Sequence, residues 1–313
     1  MVLDKKFENL ILKVSTRAAL SSFYLVGKKN KIAADKAAVD TMRSELNKID
    51  MRGEVVIGEG ELDQAPMLYI SEKLGSMKGP EIDIAVDPLE GTNFAANNLP
   101  GALSVIAISN KSNLFKAPET YMNKISANVS QSGIVDLDYS VKKNIFNLAE
   151  FKNKQPESLT ACILDRPRHK KIIEELKKLN VNLKLITDGD VSGALLVTNE
   201  KHKVDIFLGI GGGPEGVLAA SALDAFNCFF QCRFLFETEK EISRAKIMGI
   251  EDIKKKYELN EIISGDTIFC ATGITPGDLV DGIKIDQNQF ISETLITHKS
   301  RNLNKVISLR QKI

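Results

Sequence analysis

Hydrophobic residues near the start of the chain follow a helical period. They recur at Phe7, Leu10, Ile11, Val14 and Ala18. This spacing predicts an amphipathic helix over about the first 26 residues, with Gly27 as its stop. A second helix is predicted to follow Asp35, with one apolar face made of Val39, Met42, Leu46 and Ile49.

The pattern then changes to short runs typical of strands. We predict a strand over 54–57, a helix over 67–74, a strand over 81–87 that stops at Pro88, and a strand over 103–108. Further strands are predicted over 159–164, 183–187, 204–209 and 229–236, and further helices over 170–179, 191–198 and 215–226. Strands and helices in turn indicate a layered α/β fold.

The pattern is weakest over 110–158, where Lys, Asn and Ser are frequent. We therefore expect a junction between two lobes in this region. The predicted organisation is a single catalytic unit over 1–313, with approximate lobes at 1–155 and 156–313.

Charge and cysteine content exclude several classes of protein. The 313 residues include 42 Lys+Arg and 41 Asp+Glu, so no bulk positive field would attract nucleic acid or an anionic membrane. Four cysteines are too few for a disulfide framework at this length. The chain shows no signal-peptide core and no membrane-length apolar run. A cytoplasmic, reduced location is expected, with the cysteines as structural thiols.

Acidic residues recur where predicted strands end, the usual place for ligands in open α/β sheets. Glu59, Glu61 and Asp63 alternate after the strand over 54–57. In an extended segment they would project to one side, and a bound cation would reverse their mutual repulsion. A solvated loop whose acids cap the next helix is the plainer interpretation.

The segment Asp87-Pro88-Leu89-Glu90-Gly91-Thr92 forms a second acidic strand end. Proline fixes the backbone after Asp87, and Gly91 permits an unusual turn, so Asp87 and Glu90 can point at one place. Thr92 adds a hydroxyl. Mg²⁺ and Mn²⁺ favour such oxygen ligands. An ordinary Asp-Pro turn before a capped helix is the alternative interpretation of the same residues.

The glycine-rich segment 209–216 lies between a predicted strand and a predicted helix. Glu215 is either a metal ligand or an acid that stabilises the helix dipole. Gly211, Gly213 and Gly216 also match a dinucleotide-binding fingerprint, and Glu237 follows at about the distance of a ribose-binding acid. An NAD-dependent oxidoreductase is therefore the alternative function.

The strings IGEGELDQAPMLYI and DPLEGT resemble class II fructose-1,6-bisphosphatases, within the metal-dependent sugar and inositol phosphatase superfamily. Further matching strings run nearly from end to end in family order, at 31–38, 117–122, 166–169, 188–190, 209–216, 271–278 and 293–295. The resemblance implies a layered αβαβα sandwich of the sugar phosphatase type. It also implies Mn²⁺ or Mg²⁺ as cofactor and assembly as a homodimer or homotetramer.

The resemblance assigns roles to individual positions. The implied metal ligands are Asp35, Glu59, Asp87, Glu90 and Glu215. The implied substrate-binding residues are Glu90, Gly91, Thr92, Tyr121, Arg166, Pro167, Arg168, Asp188, Gly189, Asp190 and Gly212. The implied reaction is hydrolysis of the 1-phosphate of fructose 1,6-bisphosphate in gluconeogenesis, with sedoheptulose 1,7-bisphosphate as a second substrate.

A working mechanism gives the remaining polar residues a role. Glu61 or Asp63 is the candidate for orienting or deprotonating the attacking water, with support of the metal ligands as the alternative for both. Lys31 and Thr92 would contact the scissile phosphate or that water. Arg166 and Arg168 would hold the distal phosphate, because a guanidinium fork matches phosphate oxygens.

Overall fold

The computed structural model describes residues 2–58, 60 and 67–313. Its strands are β1 (Arg52–Ile57), β2 (Lys73–Leu74), β3 (Glu81–Glu90), β4 (Leu103–Asn110), β5 (Tyr121–Ala127), β6 (Thr160–Leu164), β7 (Asn182–Ile186), β8 (Ile206–Gly212), β9 (Phe229–Leu235), β10 (Tyr257–Glu258), β11 (Thr267–Gly273), β12 (Lys284–Asp286), β13 (Gln289–His298) and β14 (Leu303–Lys312). Its α-helices are α1 (Lys6–Phe23), α2 (Lys31–Leu46), α3 (Thr92–Ala96), α4 (Val141–Phe151), α5 (Lys170–Lys178), α6 (Asp190–Leu195), α7 (Gly213–Leu223), α8 (Glu239–Ile247) and α9 (Leu259–Ile262).

The chain forms two compact units. Unit 1 contains Met1–Lys116 and Ile263–Ile313, and unit 2 contains Ala117–Ile262. The boundaries differ from the expected lobes at 1–155 and 156–313, because the last part of the chain returns to unit 1. There β11 pairs with β4, so the C-terminal strands extend the N-terminal sheet.

Unit 1 is built on one mixed sheet with the strand order β12-β13-β11-β4-β3-β1-β2, and β14 also pairs with β13. β1 and β3 are parallel, whereas β3/β4, β4/β11 and β11/β13 are antiparallel. Helices α1 and α2 cover one face of this sheet. The core there contains Phe7 and Ile11 of α1, Met42 of α2, and Ile84 and Ile106 of the sheet, all at most 1% exposed.

Unit 2 has a six-stranded sheet with the order β10-β9-β5-β8-β6-β7. The pairs β8/β6 and β6/β7 are parallel, and β5 is antiparallel to both β8 and β9. Helices α4 and α5 pack on one face, where Ile145 and Leu176 meet Ile206 in a buried core. Helix α6 lies on the other face, since a methyl group at Gly193 would contact Phe207.

The pattern predicted most elements, and the two mixed sheets with packed helices confirm the α/β class. The helix of the first 26 residues is α1, and the elements over 54–57, 103–108, 159–164, 170–179, 183–187, 191–198, 204–209, 215–226 and 229–236 are all present with shifted ends. The order in which an αβαβα sandwich would stack the layers of the two units stays a prediction.

Three predictions about local structure are wrong. Residues 67–74 form turns and the short strand β2 rather than a helix. Strand β3 does not stop at Pro88 but continues to Glu90. The second helix begins at Lys31, because the Asn30 side chain caps it by accepting from the Ala33 N–H, so Asp35 lies inside α2 rather than before it.

The region 110–158, where no element was predicted, contains the interior strand β5 and helix α4. Helix α4 is capped by Ser140, whose hydroxyl accepts from the Lys143 N–H. All four cysteines are buried and none forms a disulfide, as expected of structural thiols. None of the helices formed by the described residues has the length and hydrophobicity needed to span a membrane.

Candidate active site

The segment from Asp87 to Thr92 is shaped by a bulge at the end of β3. Pairing with β4 shifts register between Asp87 and Glu90, and Pro88, which has no N–H to donate, lies inside this irregularity. Leu89 is buried, and Gly91 has φ +77°, a left-handed conformation that glycine adopts without strain. The turn predicted at Gly91 is therefore present, and Thr92 begins α3 immediately after it.

The bulge brings two carboxylates together. Asp87 and Glu90 each offer an oxygen, and these oxygens lie within 4.8 Å of one another. Glu90 is 5% exposed and Asp87 is half-buried. Two acids this close repel each other unless a cation or a proton intervenes. They form the acidic centre of the candidate site in unit 1.

Asp35 is a third acid in unit 1 with an unusual environment. It lies on α2, which packs against β3 and α3. Its Oδ1 atom is buried and makes no hydrogen bond with the described residues. Burial raises the pKa of Asp35 to about 6. A bound cation would satisfy this oxygen and favour the ionised carboxylate.

The structure gives less support for the other residues predicted in this part of the site. Lys31 begins α2 with an exposed side chain. The predictions for Glu59, Glu61 and Asp63 lie outside the described residues.

The substrate-binding residues predicted in unit 2 follow the ends of neighbouring strands. Residues 166–168 come after β6, residues 188–190 come after β7, and Gly212 ends β8. These three strands are parallel neighbours, so their carboxyl ends share one edge of the sheet. Tyr121 begins the antiparallel strand β5 and pairs directly with Gly212. The unit thus places all the predicted substrate contacts of unit 2 at one sheet edge.

Two glycines at this edge leave room for carboxylates. A Cβ atom at Gly211 would lie 1.9 Å from Asp190 Oδ2, and one at Gly212 would lie 1.8 Å from Glu215 Oε2. Any larger residue would displace these acids. Gly211, the first glycine of the dinucleotide-like fingerprint, and its neighbour Gly212 therefore accommodate the protein's own carboxylates rather than a pyrophosphate.

Lys124 is a buried cation among these groups. Its side chain is 1% exposed, and its ammonium donates to Asp190 Oδ2 and, over 2.7 Å, to the carbonyl oxygen of Gly212. Buried Lys residues are rare unless they are paired. Lys124 thus links a predicted substrate-binding carboxylate to the end of β8.

Glu215 lies in the first turn of α7, beside this lysine. Burial raises the pKa of its carboxyl; Lys124 acts in the opposite direction, while Asp190 and Asp188 raise it further. Its Oε2 atom is buried and has no hydrogen-bond partner among the described residues. An acid that only stabilises the helix dipole would usually be solvated, whereas a buried oxygen of this kind could bind a cation.

Arg168 and Tyr121 form a contact at the same edge. The guanidinium carbon of Arg168 lies 4.8 Å from the centre of the Tyr121 ring, a cation–π distance. Arg168 also donates from Nε and Nη2 to the carbonyl oxygen of Ile210, at 3.0 and 2.9 Å. These contacts hold an exposed guanidinium at the sheet edge, where it can meet an anionic ligand.

Sequence reasoning missed two residues of this edge. Lys124 lies in the region where no strand was predicted, so nothing indicated that it would be interior. His169 was noted only as part of the string Arg166-Pro167-Arg168-His169. Its neighbours in β8 were not predictable from local sequence.

Comparison with known proteins identifies one family along nearly the whole chain. The model of the family described as "Bacterial fructose-1,6-bisphosphatase, glpX-encoded" matches residues 5–311. A protein of Trichodesmium erythraeum (strain IMS101) is 39% identical over 311 residues, covering 91% of this chain and 90% of that protein. One from Prochlorococcus marinus (strain MIT 9515) is 41% identical over 300 residues, covering 91% and 90%.

A third relative, from Synechococcus sp. (strain JA-3-3Ab), is 39% identical over 336 residues and covers 99% of this chain and 97% of its own length. All three relatives are named D-fructose 1,6-bisphosphatase class 2/sedoheptulose 1,7-bisphosphatase. The class of protein is therefore a phosphatase that acts on sugar phosphates. The chain belongs to the glpX-type, or class II, fructose-1,6-bisphosphatase family, and the dinucleotide alternative is set aside.

Proposed function

We propose that this chain hydrolyses the 1-phosphate of fructose 1,6-bisphosphate, giving fructose 6-phosphate and phosphate, as a step of gluconeogenesis. Sedoheptulose 1,7-bisphosphate, which appears in the names of the relatives, is the proposed second substrate. The observation that carries the proposal is the pair of carboxylates, Asp87 and Glu90, at the bulged end of β3 in a chain of this family.

Mn²⁺ or Mg²⁺ is the proposed cofactor. Asp35, Asp87, Glu90 and Glu215, with Glu59, would be its ligands. All of them offer oxygen, the donor that these cations prefer. The buried oxygens of Asp35 and Glu215, which lack hydrogen bonds to the described residues, fit such a role. When bound, the cation polarises the phosphoryl group and lowers the pKa of a water molecule.

The protein's own residues would orient the reactants. Glu61 or Asp63 would orient or deprotonate the attacking water. Lys31 and Thr92 would contact the scissile phosphate or that water, and Gly91 would lie at the same phosphate. The water adds to phosphorus, the bond from phosphorus to the C1 oxygen breaks, and that oxygen takes up a proton. Positioning and charge neutralisation supply most of the acceleration in such reactions.

The sheet edge of unit 2 would bind the rest of the substrate. Arg166 and Arg168, around Pro167, would hold the distal phosphate, and Tyr121 would contact the sugar. The segment 188–190 and Gly212 would complete the pocket for the sugar hydroxyls. Asp190 Oδ1 supports this role, since it is buried and accepts no hydrogen bond from the described residues.

The test is phosphate release from each bisphosphate with Mn²⁺, with Mg²⁺ and with a chelator. We expect activity on fructose 1,6-bisphosphate that the chelator abolishes and Mn²⁺ or Mg²⁺ restores. Folded protein inactive on every sugar bisphosphate would refute the proposal. Titration with NADH serves as the control, and no binding is expected. The proposed homodimer or homotetramer is checked by light scattering of the same preparation.

A further inference from the structure

His169 is a fully buried histidine at the substrate-binding edge of unit 2 to which no role has been given so far. Its Nδ1 lies 2.7 Å from the carbonyl oxygen of Leu164, the last residue of β6. Its Nε2 accepts from the backbone N–H of Ile210 in β8, also at 2.7 Å. Both ring nitrogens are thus engaged by the backbone of two neighbouring strands.

The two hydrogen bonds define the form of the ring. Because the Ile210 N–H donates to Nε2, that nitrogen carries no proton. The carbonyl oxygen of Leu164 can only accept, so Nδ1 carries the proton. The contacts therefore require a neutral imidazole protonated on Nδ1.

The ring occupies the place where the two parallel strands separate. β6 and β8 pair at Ala161 with Ile206 and at Cys162 with Phe207, and the pairing ends there. Beyond it, the imidazole connects Leu164 and Ile210 in place of a direct ladder bond. Gly209 makes this possible, since a Cβ atom there would lie 3.0 Å from Nε2.

The backbone of one residue of β8, Ile210, is held through both its N–H and its carbonyl oxygen. His169 accepts from the N–H of Ile210, and Arg168 donates twice to its carbonyl oxygen. Arg168 and His169, which follow β6, therefore both bind the backbone of Ile210, two positions before Gly212. A shift of this histidine would move the arginine segment and the end of β8 relative to each other.

We propose that His169 is a positioning residue for binding of the substrate's distal phosphate: its neutral ring fixes the arginine segment 166–168 against the Ile210–Gly212 end of β8. The proposal rests on the function proposed above. It gives His169 no contact with the substrate. Protonation of Nε2 would turn its hydrogen bond into a clash between two N–H groups, so the arrangement is lost in acid.

The electrostatics of the ring support the same form. Burial lowers the pKa of His169, and the positive charge of Arg168 adds to this effect, whereas the hydrogen bond to Leu164 and the charge of Asp190 oppose it. Arg168 and Asp190 are the charged groups that act on the ring. With its pKa below the usual value, the ring is neutral at pH 7 and becomes charged only as the pH falls.

A spectroscopic test is independent of catalysis. The chain has only three histidines, so the ring nitrogens of His169 can be assigned in ¹⁵N NMR spectra by comparison with His169→Gln. At pH 7 we expect a neutral ring protonated on Nδ1. A ring that is charged or protonated on Nε2 at pH 7 would overturn the proposal even if the enzyme is fully active.

A kinetic test uses two replacements. In His169→Gln the amide oxygen can still accept from the Ile210 N–H, but the side chain does not titrate. In His169→Leu the side chain neither accepts that hydrogen bond nor titrates. We expect His169→Leu to raise KM for fructose 1,6-bisphosphate about tenfold, the cost of one buried hydrogen bond, with kcat changed much less. We expect His169→Gln to keep KM within about threefold of the wild type.

The pH profile separates positioning from simple packing. KM of the wild type should rise as the pH falls through the lowered pKa of His169, and that rise should be missing in His169→Gln. His202→Gln, in the same unit, is the matched control and should follow the wild type. Equal KM values for His169→Gln and His169→Leu, or an unchanged acid rise in His169→Gln, would overturn the proposal. A wild type without bisphosphatase activity would refute the proposed function, and the NMR test of His169 would still stand.

Discussion

Two half-buried aspartates of unit 1, Asp35 and Asp266, differ in whether a histidine side chain lies beside the carboxylate. Asp266 lies beside His298, whose ring nitrogens are 2.9 Å from Asp266 Oδ2 and 2.7 Å from Glu8 Oε1. Asp35 has a buried oxygen without a hydrogen bond to the described residues. The fold thus compensates the charge of Asp266 but gives Asp35 Oδ1 no hydrogen bond from the described residues.

The two pKa values express this difference. Burial alone would raise the pKa of Asp266, but hydrogen bonds from His298, from the Leu3 N–H and from Ser300 lower it to about 2. Burial raises the pKa of Asp35 to about 6, and no charged group among the described residues opposes this shift. Asp266 thus receives a partner from the chain, whereas the raised pKa of Asp35 is the one expected of a carboxyl that a bound cation would ionise.

Asp190 in unit 2 belongs with Asp266 in this comparison. Its carboxylate holds the buried ammonium of Lys124. This agrees with its proposed role in accepting sugar hydroxyls, since an acid already neutralised by a lysine has little need of a metal. The counter-charge thus distinguishes Asp190, a proposed substrate contact, from Asp35, a proposed metal ligand.

The largest expected effect is on catalysis, from Asp87→Asn. Loss of one carboxylate from the proposed metal site should lower kcat/KM for fructose 1,6-bisphosphate about a thousandfold, because metals supply several kcal/mol of charge stabilisation. Mn²⁺ should also no longer raise the melting temperature. Phosphate release by the purified variant measures kcat/KM, and thermal unfolding with and without Mn²⁺ measures the change in melting temperature.

The matched control is Asp83→Asn, on the same strand. Asp83 is buried and accepts from the N–H groups of Asn113 and Leu114, so its role is structural. Its replacement should lower stability but leave kcat/KM and the response to Mn²⁺ close to the wild type. Wild-type kinetics in Asp87→Asn would remove Asp87 from the metal site.

A second, smaller effect concerns stability at the compensated site. His298→Leu removes the cation that Glu8 and Asp266 share, and breaking such a buried pair costs about 3 kcal/mol. The free energy of unfolding in urea at pH 7 measures this loss, and kcat per folded molecule should not change. An equally stable variant would mean that the N-terminal residues and Ser300 stabilise Asp266 without the histidine.

The smallest effect has the opposite sign and comes from Asp35→Asn. A carboxyl whose folded pKa is raised from 3.8 to about 6 contributes stability below pH 3.8 and loses it as the pH rises through 6. At pH 8, with metal removed by a chelator, the replacement should stabilise the protein by about 2 kcal/mol. At pH 4 the gain should disappear.

The exposed Asp40 on the same helix supplies the control for that measurement. It pairs with Lys36 at the surface, so Asp40→Asn should change stability by less than about 0.5 kcal/mol at either pH. A destabilised Asp35→Asn at pH 8 would show that Asp35 is compensated within the fold, like Asp266. The comparison between the two aspartates would then fail.

Local sequence predicted the elements whose signal lies in their own residues. The periodic apolar positions of α1 and the compact runs of β6 and β8 reflect which side of each element is buried. The helix expected over 67–74 failed, because a short apolar run does not distinguish a helix from turns and a short strand. Strand β3 passes Pro88, because a bulge there needs no N–H from that residue.

The acids of the candidate site were predictable as residues, but their states were not. A turn at Gly91 can bring Asp87 and Glu90 together, because they lie only three positions apart in the sequence. Family resemblance extends the set to Asp35 and Glu215. Whether a carboxylate is neutralised by the protein depends on groups far away in the chain. Lys124 meets Asp190 across 66 positions and His298 meets Glu8 across 290.

The sequence by itself therefore determined the α/β class, the family, and the acidic strand ends that mark the chemistry. Tertiary structure decided which buried acids carry a protein cation, where β6 and β8 separate around His169, and the return of the C-terminal strands to the first sheet. The reason is physical. Periodicity and turn chemistry act between near neighbours, whereas burial and charge compensation depend on groups that only the folded chain brings together.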